Sequence, residues 1–437
     1  MRPALLLAAW IASGSSSAPR AVQSVPGSLL FHRHTLPLSS GQCTAGGPAL
    51  LYSRNCTANW DSHSGFDYCP KGGPADPVRF IIVLASEDVR PLTNSEGPPE
   101  SLAWDGSGLY CYSAASCASR SANLTSTTGL PPTAFFGGVL SPFAEVNPNF
   151  YKASMALLPY CSSDLWAGTA STPSGLHFHG QRIALAALAA LAALPGRESL
   201  RAADEVVLIG PPGVVALAAL ATPYLSQHAA LTVLCEGCAL LPSPPAMEAQ
   251  AAPPQCTTDA NCPPHLALPL AVGLWGTPHP ASTCPPPTPT WQCLTTPAIL
   301  AVPWSTPASP TLLLAAQGRD ARAAAAYGPG LPPSALAAAL QAAGRAAVGA
   351  GGGVLARQGS GLFLSHTCAS PSALALHPAA FYGQQLDFCT NGAGQARNQT
   401  LAQVLSAGVG CREAGTPAGF CVTCYAWEAG SSEECAA

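Results

Sequence analysis

The sequence predicts an α/β fold, a doubly wound and mainly parallel sheet with helices on both faces. Three observations predict it. Short aliphatic and β-branched runs at Val78 to Leu84, Glu205 to Ile209 and Leu231 to Cys235 have the length of buried strands. Between them the period changes, for Leu185, Leu188, Leu191 and Leu194, spaced by alanines, mark a helix that Pro195-Gly196 stops. Strand and helix alternate over so long a span that right-handed crossovers and a parallel sheet follow.

The elements can be taken in chain order. Arg2, the apolar run Ala4 to Ala12 and the Ser/Ala-rich stretch to Ala18 have the three regions of a secretory signal peptide, so residues 1–18 are expected to be removed and the product secreted. Residues 19–77, rich in Cys, Gly and Ser, are expected to form a loop-rich lid with Cys43, Cys56 and Cys69 as staples. The main domain is expected over 78–410. Its strands begin with Val78 to Leu84 and Met155 to Tyr160; after the leucine-patterned helix come the strand Glu205 to Ile209, a helix from Gly213 to Gln227 and the strand Leu231 to Cys235.

A Pro-rich stretch near 241–297, holding Cys256, Cys262, Cys284 and Cys293, reads as an irregular insertion over the sheet edge. The pattern then resumes with a strand at Ala298 to Val302, helices at Leu312 to Tyr327 and Ser334 to Ala347, a strand near Leu362 to Ser365 and a helix around Leu401 to Leu405. Residues 411–437, again rich in Cys, read as a stapled C-terminal cap.

At 437 residues the chain can bury a large core. Only 9% of residues are charged and the formal net charge is −4, which supplies no basic footprint for nucleic acid or anionic lipid. The aliphatic run Ile183 to Leu194 is too short for a membrane span, which needs about 20 apolar residues. Eighteen cysteines, an even number, suit disulfides in an oxidising compartment. Sequons at Asn55, Asn123 and Asn398 agree with that route. Cys235-x-x-Cys238 and Cys421-x-x-Cys424 have zinc-like spacing, but the secretory setting favours disulfides. His177-x-His179, just before a helix and beside no thiol or carboxylate, reads as a surface or capping pair. No metal and no cofactor is expected.

Three segments carry a resemblance: Gly108 to Cys117, Asn147 to Tyr151, and Leu158 to Gly168 with its Pro-Tyr-Cys-Ser-Ser-Asp-Leu-Trp block. Together they resemble the pectin acetylesterase and Notum carboxylesterase family, over roughly residues 100 to 240. The resemblance implies an α/β-hydrolase-type fold with Cys- and Pro-rich insertions. It also implies a nucleophile elbow, Gly-x-Ser-x-Gly, between a strand and a helix, with a His to take the serine proton and an Asp to orient the His. Here the matching turn is Gly210-Pro-Pro-Gly213, which puts Pro212 at the serine position. Proline fixes φ near −65° and has no N–H, so the elbow backbone is expected to relax into a plain helix start. The family's acid position falls on Pro307 and its His position on Pro371, with His366 as the rival if the register around Cys368 differs.

What remains of the site is expected at Gly106, Gly108 and Gly213, whose amides suit an oxyanion nest, a plain glycine turn being the alternative. Tyr110, Ser162, Ser163, Asp164 and Trp166 are expected to line the cleft in which the family holds sugar or acyl esters. Cys111 and Cys117 are expected to pair with each other or with a near neighbour such as Cys161. The function implied is that of a secreted, catalytically inactive member of an esterase lineage, a pseudoenzyme of cell wall or matrix that binds a polysaccharide or acylated glycoprotein. Two alternatives stay open: an active carbohydrate O-acetylesterase using a displaced serine, Ser162 or Ser163 with His366, and a structural extracellular-matrix glycoprotein.

Overall fold

The structure is a computed structural model that describes residues 31–54, 77–85, 110–120, 122–134, 136–144, 147–236, 238, 264–280, 284, 286–295 and 298–299, and five further strands between 311 and 423. The first strands are β1 (Phe31–Thr35), β2 (Leu50–Arg54), β3 (Arg79–Leu84), β4 (Thr133–Ala134) and β5 (Ser154–Leu158). A two-stranded hairpin follows, β6 (Ala170–Ser171) and β7 (His177–Phe178). Then come β8 (Glu205–Gly210), β9 (Ala230–Glu236), β10 (Thr311–Gln317), β11 (Gly361–Ser365), β12 (Leu386–Cys389), β13 (Asn398–Gln399) and β14 (Cys421–Thr423). The α-helices are α1 (Ala114–Ala118), α2 (Ala122–Thr125), α3 (Gly180–Ala192), α4 (Gly213–Ala221) and α5 (Pro264–Trp275).

Twelve strands form one sheet in the order β13-β12-β14-β11-β10-β9-β8-β3-β5-β2-β1-β4. The run from β14 to β5 is parallel throughout, while both margins are antiparallel. As the sequence predicts, β8 is central, with Leu208 opposite Ile82 of β3 and Val233 of β9. Its residues Val206 to Gly210 are all buried, as are Phe80 to Leu84 and Ser154 to Leu158. Burial at consecutive positions means that both faces of these strands are covered, hence the unbroken Val, Ile and Leu runs. Ile183, Ala184, Ala187, Leu188 and Leu191 form the buried stripe of α3, which packs against α4.

Several elements differ from expectation. The stretch expected as a loop-rich lid contributes β1 and β2 to the sheet, because its apolar residues Phe31, Leu50, Leu51 and Tyr52 need a core to bury in. The helix after β8 ends at Ala221, short of Gln227, since Pro223 supplies no N–H and a 3₁₀ turn takes over at Thr222–Tyr224. Residues 298–299 are helical rather than the start of a strand, and the strand beside β9 is β10, where a helix was expected. The Leu312-Leu-Leu-Ala-Ala316 run is apolar at every position, so its period cannot separate helix from buried strand. The Pro-rich insertion holds α5, and the C-terminal segment expected as a cap places β14 between β11 and β12. The helices expected at Ser334 to Ala347 and Leu401 to Leu405 lie outside the described residues, as do Cys56, Cys69, Cys256, Cys262 and Asn55.

Four disulfides lie among the described residues: Cys43–Cys161, Cys111–Cys117, Cys235–Cys238 and Cys284–Cys293. Cys111 and Cys117 thus pair with each other, and Cys161 joins the N-terminal stretch. The His279 ring lies beside Cys284 and Cys293, but their sulfurs are spent on one another.

Candidate functional site

The elbow between β8 and α4 sits at the C-terminal end of the central strand, where open α/β sheets hold their ligands. Gly210 to Val215 are all buried. Pro212 has φ −46° and ψ −33°, helical values, and acts as N-cap of α4. Val214 N–H donates to the Pro211 carbonyl at 2.8 Å and Val215 N–H to that of Pro212 at 3.2 Å, so the turn closes as an ordinary helix start. A nucleophile elbow would instead hold its serine on a strained backbone with the hydroxyl presented to substrate. Neither the strain nor the hydroxyl is present. Val214, fully buried, occupies the last glycine position of the Gly-x-Ser-x-Gly pattern.

Beneath the elbow runs the loop Tyr160 to Gly168, whose backbone departs furthest from ordinary geometry. Ser163, Leu165 and Trp166 have φ of 53°, 54° and 63°, and no glycine relieves them. Such conformations persist only where surrounding contacts over-determine them. Asp164 supplies those contacts. Its carboxylate accepts from Ser162 Oγ at 2.6 Å, Trp166 N at 3.0 Å, Gly168 N at 3.2 Å and Gly180 N at 2.7 Å. Leu165 N donates to the Tyr160 hydroxyl at 2.8 Å, and Trp166 Nε1 to the Ala85 carbonyl beyond β3. Burial pushes the Asp164 carboxyl up to about 6, and the four donors pull back against that desolvation without cancelling it. Burial likewise pushes the Tyr160 hydroxyl up beyond the usual phenol range.

Three glycines admit this knot. A Cβ on Gly180 would stand 2.2 Å from Asp164 Oδ1, one on Gly168 2.5 Å from Oδ2, and one on Gly213 2.1 Å from the Leu165 carbonyl oxygen. Hence the loop seats the first residue of α4 directly on its own backbone. Leu165 packs into a second, smaller core with Cys111, Cys117, Phe178, Leu268, Ala271 and Trp275, whereas Trp166 packs into the main core. Adjacent side chains serving different cores account for the left-handed backbone between them.

Ser162, Ser163, Asp164 and Trp166, expected along the cleft, are therefore fully buried under the elbow. Ser162 donates to Asp164, and Ser163 Oγ donates to the Leu124 carbonyl at 3.1 Å. Tyr110 is partly exposed, edge-on to Trp275 with ring centroids 5.4 Å apart. Trp275 Nε1 donates to the Cys111 carbonyl at 2.9 Å, which ties α5 to the short helix α1. That helix begins with Ser113 and Ser116 capping each other's backbone and is clasped by Cys111–Cys117. Gly106, Gly108, Pro307, His366 and Pro371 lie outside the described residues, as do the side chains of Asn123 and Asn398. Trp275 escaped sequence reasoning because it falls in the Pro-rich stretch read as an irregular insertion; the apolar run Leu266 to Trp275 was the available signal.

Residues 102–221 match the family model described as pectinacetylesterase. The chain is similar to the zebrafish (Danio rerio) protein named inactive palmitoleoyl-protein carboxylesterase notum1b, with 40% identity over 85 residues, 19% of this chain and 60% of that protein. It is also similar to the palmitoleoyl-protein carboxylesterase NOTUM of Drosophila melanogaster, with 42% identity over 128 residues, 29% of this chain and 16% of that one. The matches thus span less than two thirds of these relatives' lengths, 60% of the zebrafish protein and 16% of the fly one. Among solved structures, the Drosophila Wnt deacylase Notum shares the fold, with a TM-score of 0.53 and 21% identity, over 80% of this chain and 88% of that one.

Proposed function

We propose that this chain, a relative of the pectin acetylesterases and Notum carboxylesterases through residues 102–221, is a secreted protein of that lineage that binds an acylated ligand without hydrolysing it at the elbow. The observation that carries the reading is Pro212, buried and helical where acyl transfer needs a presented hydroxyl. Pro307 and Pro371, at the acid and base positions, remove the other two members, and His366 alone would lack an orienting carboxylate. The likeness to a relative named inactive agrees with this.

Against the displaced-serine alternative, Ser162 and Ser163 are fully buried and their hydroxyls donate inward. Against a purely structural glycoprotein, the chain builds an ordered sheet of parallel strands with an elbow in the family's position. The ligand class is an acylated glycoprotein or a polysaccharide, as the relatives' names and the family description suggest. From the resemblance, Gly106, Gly108, Tyr110 and Gly213 are the proposed rim of its cleft, while the buried Ser162, Ser163, Asp164 and Trp166 belong to the loop beneath the elbow. Residues 1–18, the three sequons and the disulfides favour the secretory route. Among the described residues no helix is long and apolar enough to cross a membrane.

The test is calorimetric binding of a palmitoleoylated peptide and of acetylated pectin, paired with hydrolysis of each in substrate excess. Binding of one without saturable turnover is expected. Saturable turnover traced to the elbow would overturn the reading.

A further inference from the structure

The β6–β7 hairpin carries a polar relay that the elbow does not use. Ser171 and His177 are paired across the hairpin, and the Ser171 hydroxyl lies 2.9 Å from His177 Nδ1 and 2.9 Å from His179 Nε2. The direction of the His179–Ser171 hydrogen bond follows from one backbone amide. Gln42 N–H can only donate, and it donates to His179 Nδ1 at 3.0 Å. His179 is 5% exposed, and burial together with Arg182 and His177 holds its ring down at about 4, so it is neutral near pH 7. The neutral ring then carries its proton on Nε2 and donates it to Ser171 Oγ. Ser171 Oγ then keeps its own proton available for donation to His177 Nδ1, 2.9 Å away.

We propose that Ser171 is a nucleophilic hydroxyl, with His177 as its general base and His179 as the donor that stabilises the developing alkoxide, and that it accepts an acyl group from a carboxylic ester. Ser171 is exposed, so an ester can approach it. The hairpin is hydrogen-bonded to its surroundings. Its turn closes through Thr172 N to the Leu176 carbonyl, and its base is tied down by Thr169 N to Trp275 O at 3.0 Å and His177 N to Thr44 O at 3.1 Å. The tautomer that makes His179 a donor at Nε2 also denies that nitrogen to a metal ion, so the pair His177-x-His179 serves the serine instead. In the step, the Ser171 proton passes to His177 Nδ1 while Oγ bonds to the acyl carbon. His177 returns the proton to the leaving alcohol as the old ester C–O bond breaks. The products are acyl-Ser171 and a free alcohol, with no change of oxidation state.

The inference is independent of the elbow, and p-nitrophenyl acetate tests it on the full chain. A burst of p-nitrophenolate is expected, with an acetyl adduct mapped by tandem mass spectrometry to Ser171. Ser171→Ala should abolish both. His177→Gln, which keeps a hydrogen-bonding group but no base, should slow the burst by about 100-fold or more at an unchanged thermal midpoint. Adducts confined to lysines or the N-terminus, or an equal burst in S171A or H177Q, would overturn it. Saturable turnover that persists in S171A would count against the inactive elbow as well, whereas loss of the burst alone leaves that reading standing.

Discussion

Gly213 rests on Leu165 so closely that a Cβ at 213 would stand 2.1 Å from the Leu165 carbonyl oxygen and 2.9 Å from the Trp166 carbonyl carbon. The obstruction is backbone, which the Asp164 hydrogen bonds hold in place, so neither side can give cheaply. Gly213→Ala should cost about 1–3 kcal/mol and lower the thermal midpoint measurably. An equally stable G213A protein would mean that the loop and the elbow are not in this contact.

Asp164 makes a second test, through pH. Its carboxyl is raised from the usual 3.8 to about 6, so the folded protein retains a proton that the unfolded chain releases. The stability this contributes is full below about 4 and is lost as pH rises through 6, about 3 kcal/mol in all. Asp164→Asn removes that dependence and also turns an NH₂ either toward the N–H groups of Gly168 and Gly180 or toward the Trp166 N–H and the Ser162 hydroxyl. The variant should be strongly destabilised, with a larger deficit in urea midpoint at pH 4 than at pH 7.5. A deficit that grows toward alkaline pH would reverse the sign and refute the argument.

The disulfides rank by the loops they close. Cys43–Cys161 spans 118 residues and Cys111–Cys117 spans 6. Loop-closure entropy assigns about 5 kcal/mol to the former and about 2 to the latter. The paired substitution C43A/C161A should therefore lower the midpoint of unfolding well beyond C111A/C117A. Non-reducing peptide mapping checks the pairings themselves.

Legibility in the sequence divides along physical lines. Strands buried on both faces announce themselves as aliphatic runs, which is why Arg79–Leu84, Ser154–Leu158, Glu205–Gly210 and Ala230–Glu236 fall within two residues of expectation. Thr311–Gln317 has the same character, yet its all-apolar run was equally good as a helix, and only pairing with β9 decides it. At the elbow, the helical turn was readable from one residue, Pro212. The burial of Ser162 and Asp164 was not, because a Ser-Ser-Asp run looks like surface until the backbone N–H groups of Trp166, Gly168 and Gly180 are seen to converge on one carboxylate. Ser171 was missed for a like reason. Its partners are six and eight residues away, and only the turn residues Thr172-Pro-Ser-Gly175 hint that the chain doubles back.

The last prediction concerns restoring the nucleophile. Pro212→Ser supplies a hydroxyl, but at a position that is buried and helical, with Val214 filling the space that the motif's second glycine would leave open. A serine there would behave as a helix N-cap, its oxygen accepting from the first turn of α4 rather than facing an ester. It would also find Pro307 and Pro371 at the positions proposed for the acid and the base, with His366 the rival for the latter. In an S171A background, which removes the hairpin hydroxyl from the assay, P212S should raise the thermal midpoint slightly or leave it unchanged and should add no p-nitrophenyl acetate turnover. Stoichiometric labelling of Ser at 212 by a fluorophosphonate would contradict this, since it requires a presented, activated hydroxyl that the helical turn does not provide.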